Sequence, residues 1–524
     1  MRPLNEQLLK LSKRAEKYSL DQLVASFVDV GPLFALLSNT DNQIVFGRRG
    51  TGKTHVLAYL QNHLVSQTLC VVKIDMRVMG STGGIYTDPG ISIPQRATRL
   101  LSDTLGAIHE ELLNVVLSDE SDEYDLSSLV GPLDRLAENL TQVTVSGSVE
   151  STTGAAREHS NSVEQKASLE ASPTGIAANA SVHENQTSKQ LSEVSRTESG
   201  TEQLRIHFAS VNKDFQSIVE LLPKKQLWVL IDEWSEVPLD LQPFLADLLR
   251  RTLFPVPGVT VKVAAIEERC EFRRFIDTGE SYIGIEIGAD ASASLNLDEF
   301  MVFDNNDAQA KDFFGNLLHK HVLSVAESTE VPEGKSRFIN DVFTQKAAFE
   351  EFVRASEGVP RDAINIAGLA AQQASDKQIS IPIVREAART WYNRSKNQAI
   401  SSRQDASRLL SWIMNTVIGS RQAKAFLLSS SEKDDLIGLL YDARILHLLK
   451  QGVSAQLQPG QRFNVYSLDY GCYVDLIATT RAPKGLLVDE DESGSTIHID
   501  VPTTDFRSIR NSILNLEEFY SKSG

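Results

Sequence analysis

The sequence predicts an α/β fold: a parallel sheet, then an all-helical segment, then a small domain of helices and a β-hairpin. Three observations predict it. Short apolar runs at 44–46, 69–75, 227–231 and 259–266 alternate with stretches of helical period, the pattern of buried parallel strands joined by helices. From 307 to 396 apolar residues recur at helical spacing alone. From 402 onward two helical stretches precede two strand-like runs, 445–449 and 463–468, separated by the turn Gln458-Pro459-Gly460.

The first strand leads into Gly47-Arg48-Arg49-Gly50-Thr51-Gly52-Lys53-Thr54, and a helical pattern begins at His55. Strand, glycine-rich loop and helix are the context in which this motif cradles phosphate. Glycines let the backbone fold round an anion, and the loop N–H groups and helix N-terminus point at it. Lys53 adds a full positive charge, and the Thr54 hydroxyl is a magnesium ligand. The expected nucleotide-contacting set is Gly47, Arg48, Arg49, Gly50, Thr51, Gly52, Lys53, Thr54 and His55. The side chains of Arg48 and Arg49 have no assigned role and read as solvated, with a subunit contact as the alternative.

A second stretch, Leu227-Trp228-Val229-Leu230-Ile231-Asp232-Glu233, is a buried strand that delivers two carboxylates from its C-terminal end, where ligands bind in open parallel sheets. Asp232 is placed for the magnesium shell. Glu233 is placed to polarise an attacking water as general base. The next apolar run ends in Glu267-Glu268-Arg269, and Arg269 reads either as a γ-phosphate sensor or as a solvated helix-start residue. The pairs Arg250-Arg251 and Arg273-Arg274 read either as arginine fingers toward a neighbouring subunit or as a solvated face.

Composition limits the function classes. The 524 residues allow several domains, and 52 Lys plus Arg against 69 Asp plus Glu leave a net charge of −17. That excludes a chain that coats nucleic acid over its whole surface, though not a local basic patch. Cys70, Cys270 and Cys472 are far apart and fit no disulfide or metal pattern, which points to a reducing cytoplasm. The start reads as an amphipathic helix and not as an apolar leader, and no run is long enough to span a membrane.

Other segments read as follows. Residues 4–38 are helical, with a break at Gly31-Pro32. Helices are expected at 91–116, 129–140, 204–222 and 239–253, and an acidic loop at 119–125. Between 141 and 200 Ser and Thr make up roughly a third of the residues and aromatics vanish, the composition of a loose insertion. Within it, 143–149 and 176–182 alternate with period two and read as a β-ribbon. Helices at 307–325, 338–356, 362–373 and 382–396 form a lid, broken at Gly358-Val359-Pro360-Arg361. Residues 401–480 hold 8 Lys/Arg and 7 Asp/Glu, a net of +1, which permits DNA contact without demanding it. The tail, 481–524, carries an amphipathic helix at 506–520 that packs back. His319-Lys320-His321 reads as solvated, because residues two apart on a helix face different ways. Asp489 to Asp500 reads as an acidic hairpin loop that only mimics a calcium site.

The phosphate loop, the Asp232-Glu233 strand, the following strand and the helical segment with Gly358-Val359-Pro360-Arg361 together resemble an AAA+ ATPase. Within that class the chain looks like the origin-recognition/initiator branch and the related STAND signalling ATPases. The resemblance implies that Arg361 is sensor 2, reaching from the lid to the γ-phosphate, and that Arg269 matches the strand-end arginine of the STAND branch. It also implies that 401–480 is a winged helix. The chain departs from the family in carrying acidic residues before Arg269 where initiators have a polar sensor, and in the 141–200 insertion.

The expected organisation is a helical lead-in (1–40), a P-loop NTPase core (41–300), a helical lid (301–400), a winged helix (401–480) and a tail (481–524). The expected function is a magnesium-dependent ATP-binding and hydrolysing switch. In it Lys53 and Arg361 grip the phosphates, Thr54 and Asp232 hold Mg2+, Glu233 activates water, and the lid and winged helix change assembly or partner engagement. Two roles compete. One is a switch that forms a homo-oligomer or gates a separate protein effector, as in bacterial defence modules. The other is a DNA-engaging initiator or loader that uses the winged helix.

Overall fold

The computed structural model describes the chain apart from residues 12–14, 80–83, 85, 119–122, 141–142, 147–148, 152–165, 168–195, 199–200, 205, 277–280, 299–306, 327–330, 416–424, 433, 455–459, 479–488, 491–495, 498–511 and 524. The second half of the expected β-ribbon (176–182), most of the acidic loop, the turn residues Gln458 and Pro459 and most of the calcium-like loop lie outside the described residues.

The central sheet has five strands: β1 (Gln43–Phe46), β2 (Cys70–Asp75), β3 (Leu227–Asp232), β4 (Val259–Ala265) and β5 (Ser292–Asn296), in the order β5-β1-β4-β3-β2. The chain divides into two compact units, and β4 runs through both: one unit holds 64–263 and 270–292, the other 1–63, 264–269 and 293–524.

In the unit containing β2 and β3 the pairing is parallel, with Cys70 opposite Leu227 and Asp75 opposite Asp232; β3 pairs with β4 from Leu227–Val259 to Ile231–Val263. Every residue of β3 and β4 is buried, as expected of strands covered on both faces. Helices Ile93–Leu117, Leu126–Leu140, Phe208–Leu221 and Gln242–Thr252 belong to this unit. Val143–Ser146, the first half of the expected ribbon, does form a strand. Its antiparallel partner is Thr201–Leu204, so Leu204 joins a strand and the helix expected from 204 starts at Phe208. A hairpin of Arg273–Phe275 and Tyr282–Gly284 follows β4.

The other unit carries the lead-in. Ser19 and Gln22 make a reciprocal capping box at the start of helix Leu20–Ser26. The phosphate-loop helix is Lys53–Val65. Expectation and structure differ at β5, a strand where the sequence pattern after Ile287 reads as all helical. Its sequence, Ser-Ala-Ser-Leu-Asn, is an edge strand with little apolar signal. The all-helical stretch then runs Asp307–Val325, Lys335–Val342, Lys346–Ala355, Pro360–Ala374 and Ile381–Trp391, closing in a π-helical turn at Tyr392–Lys396. The one helix expected at 338–356 is thus two. His319 and His321 are buried, not solvated: His319 Nε2–H donates to Pro332 O (3.0 Å) and His321 Nδ1–H to Leu317 O (2.9 Å).

The C-terminal domain has the winged-helix order of elements. Helix Gln404–Trp412, strand Ala425–Ser429, helix Asp435–Asp442 and the hairpin strands Leu446–Ser454 and Arg462–Leu468 succeed one another. The sheet is antiparallel, with Arg462–Leu468 in the middle. Asp434 caps its helix through the N–H groups of Leu436 and Ile437. Phe426, Leu440, Tyr466 and Leu468 form its core. The tail packs back as expected, through Leu514 N–H to Leu427 O (2.8 Å) and the buried Leu516 and Phe519. Its helix is Leu516–Ser523, and residues 506–511 lie outside the described residues.

Candidate functional site

The phosphate loop starts where Gly47 N–H donates to Ala265 O at the end of β4 (3.2 Å). Gly50 and Gly52 have φ of +89° and +98°, a region that residues with a Cβ enter only under strain. A Cβ on Gly47 would stand 2.6 Å from Thr51 Oγ1, so the first glycine is fixed by space and the other two by backbone conformation. Thr51 Oγ–H donates to Arg48 O (2.9 Å), and the buried Lys53 ammonium donates to Gly47 O (2.8 Å) and Arg48 O (3.1 Å). Lys53 is therefore held over the loop it serves. Thr54 and His55 are half-buried at the start of the helix, and His55 Nε2–H donates to Leu23 O (2.6 Å) in the lead-in.

Arg361 meets this loop. Its backbone N–H donates to Gly50 O (3.1 Å), and a Cβ on Gly50 would lie 2.7 Å from Arg361 Cβ. The first turn of helix Pro360–Ala374 thus touches the loop at its second glycine.

Arg48 departs from the solvated reading. Its side chain is 1% exposed. Its backbone N–H and Nε both donate to Asp298 (2.9 and 2.8 Å), Nη1 donates to His447 Nδ1 (2.6 Å), and the guanidinium lies 5.3 Å from the Tyr441 ring centroid. Burial opposes its charge, yet Asp298 alongside holds the pKa above the ordinary arginine value. Burial pushes His447 down to about 4, helped by the nearby charges of Arg48 and Lys396, so its neutral ring accepts from Arg48 at pH 7.

A second buried charge cluster adjoins it. Asp362, next to Arg361, is fully buried between Arg444 Nε (3.1 Å), Lys396 Nζ (2.8 Å) and Trp391 Nε1 (3.0 Å). Lys396 also pairs with Asp469. Burial alone would raise the Asp362 pKa, but Arg444 and Lys396 hold it well below the usual carboxylate range. Arg269, the candidate sensor, is paired with Asp442 at the end of helix Asp435–Asp442.

The carboxylate turn belongs to the other unit. Asp232 is buried, and its Oδ1 accepts the Glu233 N–H (2.9 Å). Its Oδ2 is buried with no hydrogen-bond partner among the described residues. An orphaned, buried carboxylate oxygen is costly unless a cation or its water shell takes it up, and a hard oxygen donor suits Mg2+. Asp232 therefore fits the magnesium role expected of it. Glu233 is left-handed (φ 54°, ψ 39°). Its Oε1 lies 3.9 Å from Arg77 Nη1, and Arg77 also forks onto Asp75. The arginine pairs of this unit are matched to carboxylates: Arg250 and Arg251 to Asp247, Arg273 to Glu286, Arg274 to Glu271.

An ORC-CDC6-like family model matches residues 11–68, the lead-in and the phosphate loop. The chain resembles ORC/Cdc6-like AAA+ ATPases there. That match supports ATP binding by the loop just described. Two solved structures align with the chain over most of its length. The Orc1 protein of Aeropyrum pernix, in complex with DNA, is 13% identical, with 87% of this chain and 96% of that one covered and a TM-score of 0.31. Cdc6p from Pyrobaculum aerophilum is 12% identical, with 90% and 97% covered and a TM-score of 0.28. No curated protein matches. Among the described residues no helix is long and apolar enough to cross a membrane.

Sequence reasoning did not find Asp298, His447, Asp362, Lys396 or Arg77. Its only signal for the first two was the unexplained bulky pair in the variable positions of the loop, Arg48-Arg49.

Proposed function

We propose that the chain is an ATP-binding and ATP-hydrolysing switch whose nucleotide state is read by its C-terminal domain. The observation that carries the reading is the bond from Arg48, inside the phosphate loop, to His447 of the C-terminal domain. The loop cannot rearrange around phosphates without moving a group that this domain holds.

Each residue then has a task. The loop N–H groups and Lys53 bind the β- and γ-phosphates; on nucleotide binding Lys53 exchanges its loop carbonyls for phosphate oxygens. Arg361 approaches from the helical lid as sensor 2, and the lid closes on ATP. Thr54 and Asp232 hold Mg2+, which when bound neutralises charge on the transferring phosphoryl group. Glu233 orients and deprotonates water. Arg269, now engaged by Asp442, reaches the nucleotide only when the C-terminal domain releases it. The released domain then assembles with further copies of the chain or engages a separate effector.

Helix Asp435–Asp442 and its cap carry Asp434, Asp435 and Asp442 and no Lys or Arg, a poor match to a phosphate backbone. That favours the switch over the DNA-engaging alternative.

ATP turnover by wild type, Lys53→Ala and Glu233→Gln tests the enzyme: Glu233→Gln is expected to bind ATP and to retain only a slow residual turnover, and wild type no faster than Lys53→Ala sinks the reading. Hydrogen exchange across residues 435–454 with and without ATP tests the coupling, and identical protection sinks the switch. ATP-dependent retention of duplex in a gel shift at about 0.15 M salt would move the function to DNA engagement.

A further inference from the structure

Glu233 is held in the left-handed region, where a residue with a Cβ persists only if its surroundings over-determine it. Asp232 Oδ1 fixes the Glu233 N–H from one side. From the other side the anchor is the next residue. Trp234 is fully buried and stacks on Phe272, ring centroids 5.0 Å apart and planes 17° from parallel. Its Nε1–H donates to Gln242 Oε1 (3.2 Å). The same oxygen accepts the Glu271 N–H (2.7 Å), and Gln242 Nε2 donates to Val237 O (2.8 Å).

Gln242 is itself fully buried. One side-chain amide thus joins the turn after β3, where Glu236 N–H closes back onto Glu233 O (2.9 Å), to the segment that carries Phe272. A buried glutamine in an apolar helix face is expensive unless it is satisfied, and here the groups that satisfy it are the indole and the backbone on either side.

We infer that Trp234 and Gln242 are positioning residues for hydrolysis: they lock the backbone turn that presents the Glu233 carboxylate. The inference rests on the reading of Glu233 as the base. Without the indole–amide tie the turn relaxes toward an ordinary right-handed or extended conformation. The Cα–Cβ direction of Glu233 then swings, and the carboxylate leaves the line of attack. Misplacement of a catalytic group by about 1 Å is enough to lose about a hundredfold in rate. Nucleotide binding, which depends on Gly47 to Thr54, is untouched.

The test uses full-length protein carrying Trp234→Phe, which keeps the stack and removes the N–H, and Gln242→Met, which keeps length and removes the amide. Each is made in the wild-type and Glu233→Gln backgrounds. ATP kcat, the Kd of a fluorescent ATP analogue and the thermal midpoint are measured. Gln242→Met is expected to lower kcat by about tenfold or more and Trp234→Phe by about threefold, with Kd within about twofold of wild type. In the Glu233→Gln background neither change is expected to lower the residual rate further, because a misplaced non-base costs nothing.

Unchanged kcat in both variants, or a Kd that rises in step with the loss of kcat, overturns the inference. So does an equal loss in the Glu233→Gln background, which would mark the two residues as merely structural. If Gln242→Met does not fold, Trp234→Phe carries the same comparison alone. Equal turnover by wild type and Glu233→Gln removes the base itself, a failure of the functional reading that the positioning variants do not produce.

Discussion

Arg48 donates to His447 Nδ1 across 2.6 Å, with both side chains buried, so a residue of the phosphate loop is bonded to the C-terminal domain. Arg48→Ala strands Asp298 without its cation, and breaking a buried pair this way costs about 3–5 kcal/mol. His447→Leu removes a neutral acceptor from a charged donor, about 1.5–3 kcal/mol, and with it the approach of Nε2 to Asp469 (3.5 Å). The two groups touch, so their effects should not add. A double-mutant cycle on the unfolding midpoint is expected to return a coupling of about 1 kcal/mol or more. Strict additivity would mean that the contact contributes nothing.

Two buried histidines set a pH dependence. His447 and His321 are both pushed down to about 4 from 6.5, His447 by burial and then by the charges of Arg48 and Lys396, His321 by burial and then by His55. Between those values the unfolded chain binds protons that the folded chain refuses. Stability is therefore complete above about 6.5 and is lost as pH falls toward 4. From pH 7 to pH 5 each histidine is expected to account for roughly 2 kcal/mol of lost stability. His447→Gln should flatten that part of the curve. A midpoint that drops between pH 7 and 5 by the same amount with and without His447 would contradict the assignment.

Arg77 places its charge 3.9 Å from Glu233. On the proposed reading of Glu233 as the base, a cation this close restrains the carboxylate from turning to the attacking water. Both side chains are partly in water, which limits the effect. Arg77→Ala is expected to raise ATP turnover by about two- to threefold with ATP affinity unchanged. Turnover at or below the wild-type rate would show that Arg77 supports the carboxylate instead of restraining it.

The parallel sheet and the phosphate loop were legible in the sequence because their signals are local. The apolar run of β3 and the glycines of the loop each sit within a few residues. Edge strand β5 was not legible, because Ser-Ala-Ser-Leu-Asn carries a single large apolar residue and so shows no pattern. Nor were the partners of Arg48. Asp298 and His447 lie 250 and 399 residues away in sequence, and a lone aspartate or histidine carries no spacing signal. His319 and His321 misled for a related reason: the period rule separates their faces, but both faces of that helix are covered. The carboxylate turn was read as chemistry. Its anchor, Trp234 with Gln242, could not be, since a buried glutamine looks like any helix-face polar residue until its neighbours are known.

The lid contact gives the last prediction. Gly50 and Gly52 share a positive φ, so alanine strains the backbone at either place. They differ in what a methyl group would meet. At Gly52 nothing lies within 4 Å, whereas at Gly50 the new Cβ would stand 2.7 Å from Arg361 Cβ and 3.2 Å from Arg361 Cδ. The Cβ contact is with the rigid start of the side chain, on a turn whose N–H is bonded to Gly50 O, so it cannot be relieved by a rotamer change. Gly50→Ala should therefore destabilise the nucleotide-free protein more than Gly52→Ala, by about 1–3 kcal/mol, the usual range for overpacking. Both should weaken ATP binding, since both disturb the loop. Equal unfolding midpoints for the two variants would mean that Arg361 does not rest on the loop before nucleotide binds.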